Sequence, residues 1–240
     1  LTQNAYGKSR VRLTKVERHA DRNDLFEWSI DVQLSGDFAP AYAVGDNRNV
    51  IATDTMKNVV YALAADQPLR SPESSALVLA RHFLTYPQVN SARLEIRVDG
   101  WKRITVEGHP HPHAFVGVGP EHRTCRAFAD RTVECVTAGI ADLLVLKTTD
   151  SAWKDFHRDA FRTLPDTDDR ILATSLTAEW TYAGVAEWNE AHAEVRRTLL
   201  ERFATHKSLG AQHTLQAMGE AALNAVPTMN EITQIGRAHV

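Results

Sequence analysis

The chain lacks the features that mark membrane, nucleic-acid-binding and disulfide-rich proteins. No apolar run in its 240 residues approaches the roughly 18 residues of a membrane span, and its opening residues show no signal-peptide pattern. Its 27 lysines and arginines are outnumbered by 30 acidic residues and form no basic run, so no nucleic-acid partner is expected. Two cysteines, Cys125 and Cys135, cannot build a disulfide framework and favour a reducing compartment.

The short motifs of nucleotide, acyl-transfer and thiol chemistry are also absent. The sequence contains no GxGxxG, P-loop, GxSxG or CxxC pattern. Three histidines at alternate positions, His109, His111 and His113, would point the same way on a strand and could ligate a metal. Pro110 and Pro112 make a rigid, extended strand entry the better interpretation. We therefore predict no metal site.

What the sequence does contain is 43% apolar residues in regular patterns, enough for a substantial core. Period-two alternation predicts strands, and a 3.6-residue period with capping signals predicts helices. The predicted strands cover 10–16, 27–34, 93–98, 101–108, 113–129 (with a break at 119–122), 133–149 and 170–182. The predicted helices cover 56–64, 71–86, 185–206 and 210–226.

The order of these elements repeats. With 93–98 and 101–108 counted together, two strands, two helices and two strands are followed by two strands and two helices, which predicts an α+β protein with antiparallel sheets and helices on one face. The first unit is predicted over 1–131 and the second over 132–240. The second unit is predicted to lack its last two strands.

A polar corner at residues 52–55 raises two interpretations. Thr53 and Asp54 stand where a strand-like segment turns into the 56–64 helix. Either side chain could cap that helix, or the corner could hold an anion at the helix N-terminus. Lys8, Arg170 and Gln212 are further candidates for a shared polar site, although each alone has an ordinary explanation as a solvated or helix-surface residue.

At these residues the chain resembles the urate oxidase (uricase) family. The matching segments run from residue 6 to about residue 234 in the family's order. The resemblance implies a tunnelling fold with two ββααββ units per chain, assembled into a homotetramer whose sites are shared between subunits. The segments that carry it are YGKSRVRLTKV, NVIATDTMKNVVYALA, GHPHPHAF, VLKTTDSAW, FRTLPDTDDRILAT and GAQHTLQAMGEAAL.

The resemblance also implies roles for residues of the first half. Lys8 corresponds to the lysine of the YGK segment and Thr53 to the threonine of the ATD segment, and both belong to the family's proton relay. Thr53 and Asp54 are also expected to contact the substrate, Asp54 through its backbone N–H.

In the second half, the resemblance implies that Arg170 and Gln212 grip urate from one side. Ala211 stands where the family usually has valine and keeps the backbone N–H that binds the purine. Trp153 stands where the family has a stacking phenylalanine, and the indole offers a wider π face.

The end of the sequence departs from the family. The segment that carries the relay histidine is missing after the last helix, and His239 lies outside that motif and receives no role. We expect residues 235–240 to be a non-native tail on a C-terminally truncated chain, with at most traces of activity and poor solubility as the consequence. The expected location is the bacterial cytoplasm, with a peroxisomal location left open.

The function implied by the resemblance is cofactor-independent oxidation of urate by O2 to 5-hydroxyisourate and H2O2, a step of purine degradation. Urate and O2 are the implied small-molecule partners. Two alternatives stay open at this point: a purine-binding oligomer of the same fold without turnover, and another purine or pterin enzyme of that fold.

Overall fold

A computed structural model of the chain describes residues 3–184 and 187–238. The chain divides into two compact units, residues 1–138 and 139–240. The first contains β1 (Tyr6–Arg18), β2 (Asn23–Gly36), α1 (Ala39–Val44), α2 (Thr53–Asp66), α3 (Pro72–Phe83), β3 (Val89–Val106) and β4 (His109–Asp130). Strand β5 (Glu134–Lys147) begins before the division, and β6 (Leu172–Tyr182), α4 (Trp188–Thr205), α5 (Ala211–Ala225) and β7 (Met229–Ala238) follow it.

The sheet of the first unit is antiparallel in the order β1-β2-β3-β4. Alternation along β2 places four apolar side chains on the buried face, as the sequence predicts. These are Trp28, Ile30, Val32 and Leu34, each no more than 3% exposed. Because side chains alternate across a strand, the residues between them face away from this core.

Helices α2 and α3 cover the buried face of this sheet. In α2 the buried residues Met56, Val60 and Ala64 recur every four positions, so one stripe of the helix enters the core. Helix α3 begins as predicted: Ser71 is the N-cap, its hydroxyl accepts a hydrogen bond from Ser74 N at 3.1 Å, and Pro72 is the first helical residue.

A buried ion pair joins α3 to β4. Glu73 is fully buried, and Arg123 Nη2 donates to its Oε2 at 2.7 Å. Burial raises the pKa of Glu73, while the charge of Arg123 acts in the opposite direction. A buried carboxylate needs such a partner, so this pair fixes where α3 rests on the sheet.

Strands β3 and β4 form one long hairpin that exceeds the sequence prediction. Glu107 and Gly108 both have positive φ (51° and 82°), the combination that a tight two-residue hairpin turn requires. The pairing is irregular between Asp99 and Trp101, near the predicted break, and then continues. The predicted segments 93–98 and 101–108 are therefore one strand, β3, and the two parts of the predicted segment 113–129 are one strand, β4.

The second unit contains one strand more than the sequence predicts. Strands β5, β6 and β7 are neighbours in that order, and β7 pairs antiparallel with β6 from Thr174↔Ala238 to Tyr182↔Met229. The prediction that no strand follows the last helix is wrong, since residues 229–238 pair with β6 and extend the sheet. Residues 235–238 of the expected tail lie in β7, whereas 239–240 are outside the described residues.

The core of the second unit joins these strands to α4 and α5. Its fully buried side chains come from β5, β6 and both helices: Ile140, Leu176, Ala178, Trp180, Val195, Leu199 and Ala222. No helix in residues 3–184 and 187–238 is both long and apolar enough to cross a membrane.

Candidate active site

The polar corner predicted at residues 52–55 is the start of α2, but no side chain caps it. Ala52 is the N-cap, and neither Thr53 nor Asp54 makes a cap hydrogen bond. The capping interpretation is therefore wrong, because both residues are already within the first helical turn. The first intrahelical bond is Met56 N to Ala52 O at 3.1 Å. The amides of Thr53 and Asp54 precede it, and such N–H groups are free to bind an anion.

Tyr6 holds this corner against β1. Its hydroxyl donates to Ile51 O at 3.0 Å and accepts from Ile51 N at 2.7 Å, so one side chain satisfies both backbone groups. Burial raises the pKa of Tyr6, which keeps the hydroxyl protonated and able to donate. The Tyr6 ring also packs edge-on against buried Phe38, with centroids 4.8 Å apart. Thr53 follows two residues after this clamp.

Lys8 lies on β1 next to an irregularity in the strand. The pairing with β2 is regular up to Lys8↔Val32 and resumes at Val11, and Arg10 between them has φ of 56°. Such bulges turn a strand and redirect its side chains. Gly7 fits this close pairing because a Cβ there would lie 1.9 Å from Val32 O.

Lys8 lies close enough to Asp54 for its charge to act on the carboxyl group, and Thr53 is next to Asp54 in the chain. The pKa of Asp54 is lowered mainly by a hydrogen bond from Lys57, whose Nζ lies 2.5 Å from Asp54 Oδ1, and the charge of Lys8 lowers it further. Asp54 and Thr53 are exposed, whereas Lys8 is half-buried. The first unit thus presents a cation, a hydroxyl and the amides of the first turn of α2 at one place on its surface.

In the second unit, three loop segments are tied together by backbone hydrogen bonds around Ser151. Ser208 N donates to Asp150 O at 2.9 Å, and Ala152 N donates to Ser208 O at 2.8 Å. Arg170 N donates to Ser151 O at 2.7 Å. Ser151 and Ser208 are both fully buried. The segments bearing Trp153, Arg170 and the start of α5 are therefore fixed relative to one another.

Arg170 and Trp153 meet at this junction. The guanidinium carbon of Arg170 lies 5.1 Å from the centroid of the indole, a cation–π distance. Arg170 Nε is buried and has no hydrogen-bond partner within residues 3–184 and 187–238. A buried guanidinium donor without an acceptor is costly, so this group is suited to an anionic ligand. Phe156 stacks on Trp153, with ring centroids 5.5 Å apart.

The start of α5 completes the second group. Gly210 is the N-cap, and a Cβ there would lie 3.3 Å from Trp153 Cζ3 and 3.9 Å from Gln212 Oε1. The first intrahelical bond is Thr214 N to Gly210 O at 3.2 Å, so the amides of Ala211 and Gln212 precede the helical ladder. An apolar cavity of about 420 Å³ adjoins Arg170 and Ala211.

The histidine-rich segment opens β4. The rings of His111 and His113 are 4.5 Å apart between centroids, and His113 N donates to His111 Nδ1 at 3.4 Å. This matches the predicted strand entry. Among the described residues, no group of three or more His, Cys, Asp or Glu side chains is placed to hold a metal ion.

Several residues of these groups have no sequence pattern that indicates their role. Tyr6 is part of the YGK segment, but nothing in the sequence tells that its hydroxyl reaches Ile51. Ser151, Ser208 and Gly210 act through backbone geometry, which appears only when the loops meet. Phe156, three residues after Trp153, was the one that aromatic spacing could have suggested.

Comparison with known proteins gives a consistent result. A family model described as Uricase matches residues 4–127 and 136–235. The uricase of Arthrobacter globiformis is 40% identical over 97% of this chain and 76% of its own length. Uricase-2 of Phaseolus vulgaris is 37% identical over 92% of this chain and 78% of its own length.

Solved structures agree. The crystal structure of the Arthrobacter globiformis uricase has a TM-score of 0.91 at 39% identity, covering 98% of this chain and 80% of that one. A uricase from Bacillus fastidious has a TM-score of 0.84 at 23% identity, covering 95% of this chain and 83% of that one, and supports the fold alone.

Antiparallel sheets with a helix pair on one face, and polar groups gathered at the helix starts, define an α+β enzyme of the tunnelling fold. The chain belongs to the uricase family. Its members are urate oxidases, so the enzyme is an oxidoreductase and its substrate is urate.

The two hydrogen bonds between the Tyr6 hydroxyl and Ile51 should stabilise the fold. Replacing Tyr6 with phenylalanine removes both hydrogen bonds to Ile51 and leaves its amide and carbonyl unpaired beside the core. We expect a loss of about 1–3 kcal/mol in the free energy of unfolding, measured by urea titration. Tyr42→Phe is the matched control, because Tyr42 is 54% exposed and its hydroxyl makes one bond, to Ala5 O at 3.1 Å. Equal losses in the two variants would contradict the clamp.

Proposed function

We propose that this chain oxidises urate with O2 to 5-hydroxyisourate and H2O2, as a step in purine degradation. The observation that carries the proposal is the half-buried Arg170, whose buried Nε lacks an acceptor among the described residues and whose guanidinium lies beside the half-buried Trp153. Urate is a planar anion, and it offers both the acceptor and the flat surface that this pair can bind.

Arg170 and Gln212 would hold the edge of urate. A guanidinium presents a planar fork of donors that suits two neighbouring acceptors on an anion. Gln212 presents one donor and one acceptor, which matches adjacent C=O and N–H groups on a purine. The amide of Ala211, which lies outside the helical ladder, adds a further donor. Together these groups fix the orientation of the ring.

Trp153 would cover one face of the purine. The guanidinium of Arg170 now lies over the indole. In the proposed complex, the anion replaces the indole as the partner of that guanidinium, which frees the indole for stacking. Phe156 supports the indole from its stacked position. This exchange links recognition of the charge to recognition of the flat ring.

Lys8 and Thr53 would manage protons on the O2 side. The hydroxyl of Thr53 can accept one proton and donate another, so it can hold water or O2 and pass a proton toward Lys8. The Asp54 amide, at the N-terminus of α2, would donate to the substrate anion. The proposed roles thus fit the two helix starts, α2 for the first group and α5 for the second.

The chemistry needs no resident redox group in this proposal. Urate gives up two electrons to O2, and O2 takes up two protons and leaves as H2O2. One water adds to the oxidised purine at C5 to give 5-hydroxyisourate. The tasks left to the protein are to hold, orient and exchange protons, which positioning and acid–base groups can perform.

The two groups lie in different units of the chain, Lys8, Thr53 and Asp54 in the first and Trp153, Arg170, Ala211 and Gln212 in the second. We propose that a homotetramer brings the first group of one subunit to the second group of its neighbour. Closed symmetric assemblies of this kind repeat one such interface at every site. The two free thiols, Cys125 and Cys135, agree with a reducing, cytoplasmic location.

The grip on the anion can be tested at Arg170. Arg170→Lys keeps the charge but loses the planar pair of donors, so we expect affinity for the urate analogue 8-azaxanthine to fall at least tenfold, about 1.4 kcal/mol. Urate turnover, followed as loss of urate absorbance with H2O2 formation, should fall with it. Arg158→Lys is the control, since that side chain is 70% exposed and pairs with Asp166. Unchanged analogue affinity in Arg170→Lys would remove Arg170 from the site.

The stacking role can be tested at Trp153. We expect Trp153→Phe to keep or improve urate turnover, because phenylalanine retains a π face. Trp153→Ala should weaken analogue binding by about 1–3 kcal/mol, the magnitude of base–aromatic stacking. Phe161→Ala is the control in the same region, since Phe161 is 90% exposed. If Trp153→Ala binds the analogue as tightly as the parent, another group forms the platform.

A further inference from the structure

Two histidines face each other beside the start of α5. His206 is the C-cap of α4, and His213 lies in the first turn of α5. Their ring centroids are 4.4 Å apart, and His206 Nε2 is 3.3 Å from His213 Nδ1. We call this pair the histidine clasp, because it closes the four-residue loop 207–210 between the two helices.

The hydrogen-bond pattern fixes which ring atoms carry protons. Leu209 N donates to His213 Nδ1 at 3.4 Å, so that nitrogen is an acceptor. His206 Nε2, which meets the same nitrogen, must then be the donor. A proton on His213 Nδ1 would leave Leu209 N without its acceptor, and the contact with His206 would then require His206 Nε2 to lose its own proton and accept. Both contacts of the clasp are therefore made together only while His213 Nδ1 carries no proton.

The surroundings of the clasp are rich in cations. His206 is 9% exposed, and burial lowers its pKa, with further lowering by the charges of His213, Arg202 and Lys147. Lys147 Nζ also donates to the backbone oxygen of His206, and Asp150 and Asp169 act on Lys147 in turn. Protonation of an imidazole in the clasp would place a positive charge near Lys147 of β5 and Arg202 of α4, opposite the other histidine of the pair. Repulsion between these charges would open the loop 207–210.

The loop that the clasp closes carries the proposed substrate groups. Ser208 ties it to the Trp153 segment through Asp150 O and Ala152 N, and Gly210 lies against the indole. Gln212 precedes His213 directly. A shift of the loop would displace Gln212, the Ala211 amide and the surface that supports Trp153 together.

We propose that His206 and His213 are positioning residues that act as a proton-sensitive clasp, holding the start of α5 in its substrate-binding geometry when neutral and releasing it when protonated. This inference rests on the proposed function, because it assigns urate binding to the start of α5. It predicts that substrate affinity falls on acidification, as the clasp takes up a proton.

The test compares the parent with a clasp that cannot titrate. In His206→Gln the amide nitrogen stands near the place of Nε2 and donates, and in His213→Asn the amide oxygen stands near the place of Nδ1 and accepts. Binding of 8-azaxanthine is measured by calorimetry from about pH 7.5 to about pH 5, a range that extends below the ordinary imidazole pKa because the pKa of His206 is lowered. His19→Gln is the control, since His19 is exposed in the β1–β2 turn and pairs with Asp24.

We expect parent affinity to fall about tenfold over this range, the value of two weak hydrogen bonds, and the His206→Gln/His213→Asn variant to fall much less. The His19→Gln profile should follow the parent, and the ionisation of the analogue cancels because it is common to all three. Identical pH profiles in the parent and the double variant would overturn the clasp, as would a parent affinity that rises on acidification.

An NMR measurement separates failure of the clasp from failure of the proposed function. Long-range 15N–1H spectra of the histidine rings should show His213 with its proton on Nε2 at about pH 7.5, whatever the protein binds. His213 with its proton on Nδ1 would refute the clasp on its own. If that tautomer is as expected and the parent binds no analogue at any pH, the proposed function fails instead.

Discussion

The backbone bonds around Ser151 are the constraint on which the second group of polar residues depends. Three segments far apart in sequence meet there: the loop after β5, the strand-like piece before β6 and the loop before α5. Because Ser151 and Ser208 are fully buried, those bonds are shielded from competing water. These bonds, rather than a contact between Arg170 and Trp153, hold the two residues near each other, and they leave Arg170 Nε buried without an acceptor among the described residues.

The first group is built on a different device. Here a tyrosine hydroxyl fixes the approach to α2, and an irregular β1 directs Lys8 to the same surface. Each group lies at the start of a helix, α2 for the first and α5 for the second. The N-cap residues, Ala52 and Gly210, make no side-chain hydrogen bond to the helix, so the amides of the first turn are left for a ligand. A serine or aspartate at the N-cap would accept a hydrogen bond from one of those amides, as Ser71 does at the start of α3.

Periodicity was enough to predict most of the fold. The four apolar residues of β2 and the Ser71–Pro72 helix start follow from local patterns that burial then satisfies. Strand β7 was missed because residues 229–238 mix polar and apolar residues and gain their register from β6. The interpretation of Thr53 or Asp54 as the cap of α2 was wrong because the helix begins at Thr53, with Ala52 as the N-cap. The exact first residue of a helix depends on backbone angles that the sequence pattern does not specify. The grouping of Arg170 with Trp153 came from the family resemblance, since no local pattern encodes a contact between loops.

The proposed function requires each active centre to take one group from each of two chains. The direct measurement mixes Lys8→Met chains with Arg170→Gln chains by co-refolding and follows urate turnover against the parent. Random assembly should place an intact first group beside an intact second group in about a quarter of the sites, so the mixture should regain up to about a quarter of parent activity while each variant alone has little. A mixture no more active than the two variants separately would contradict the shared site.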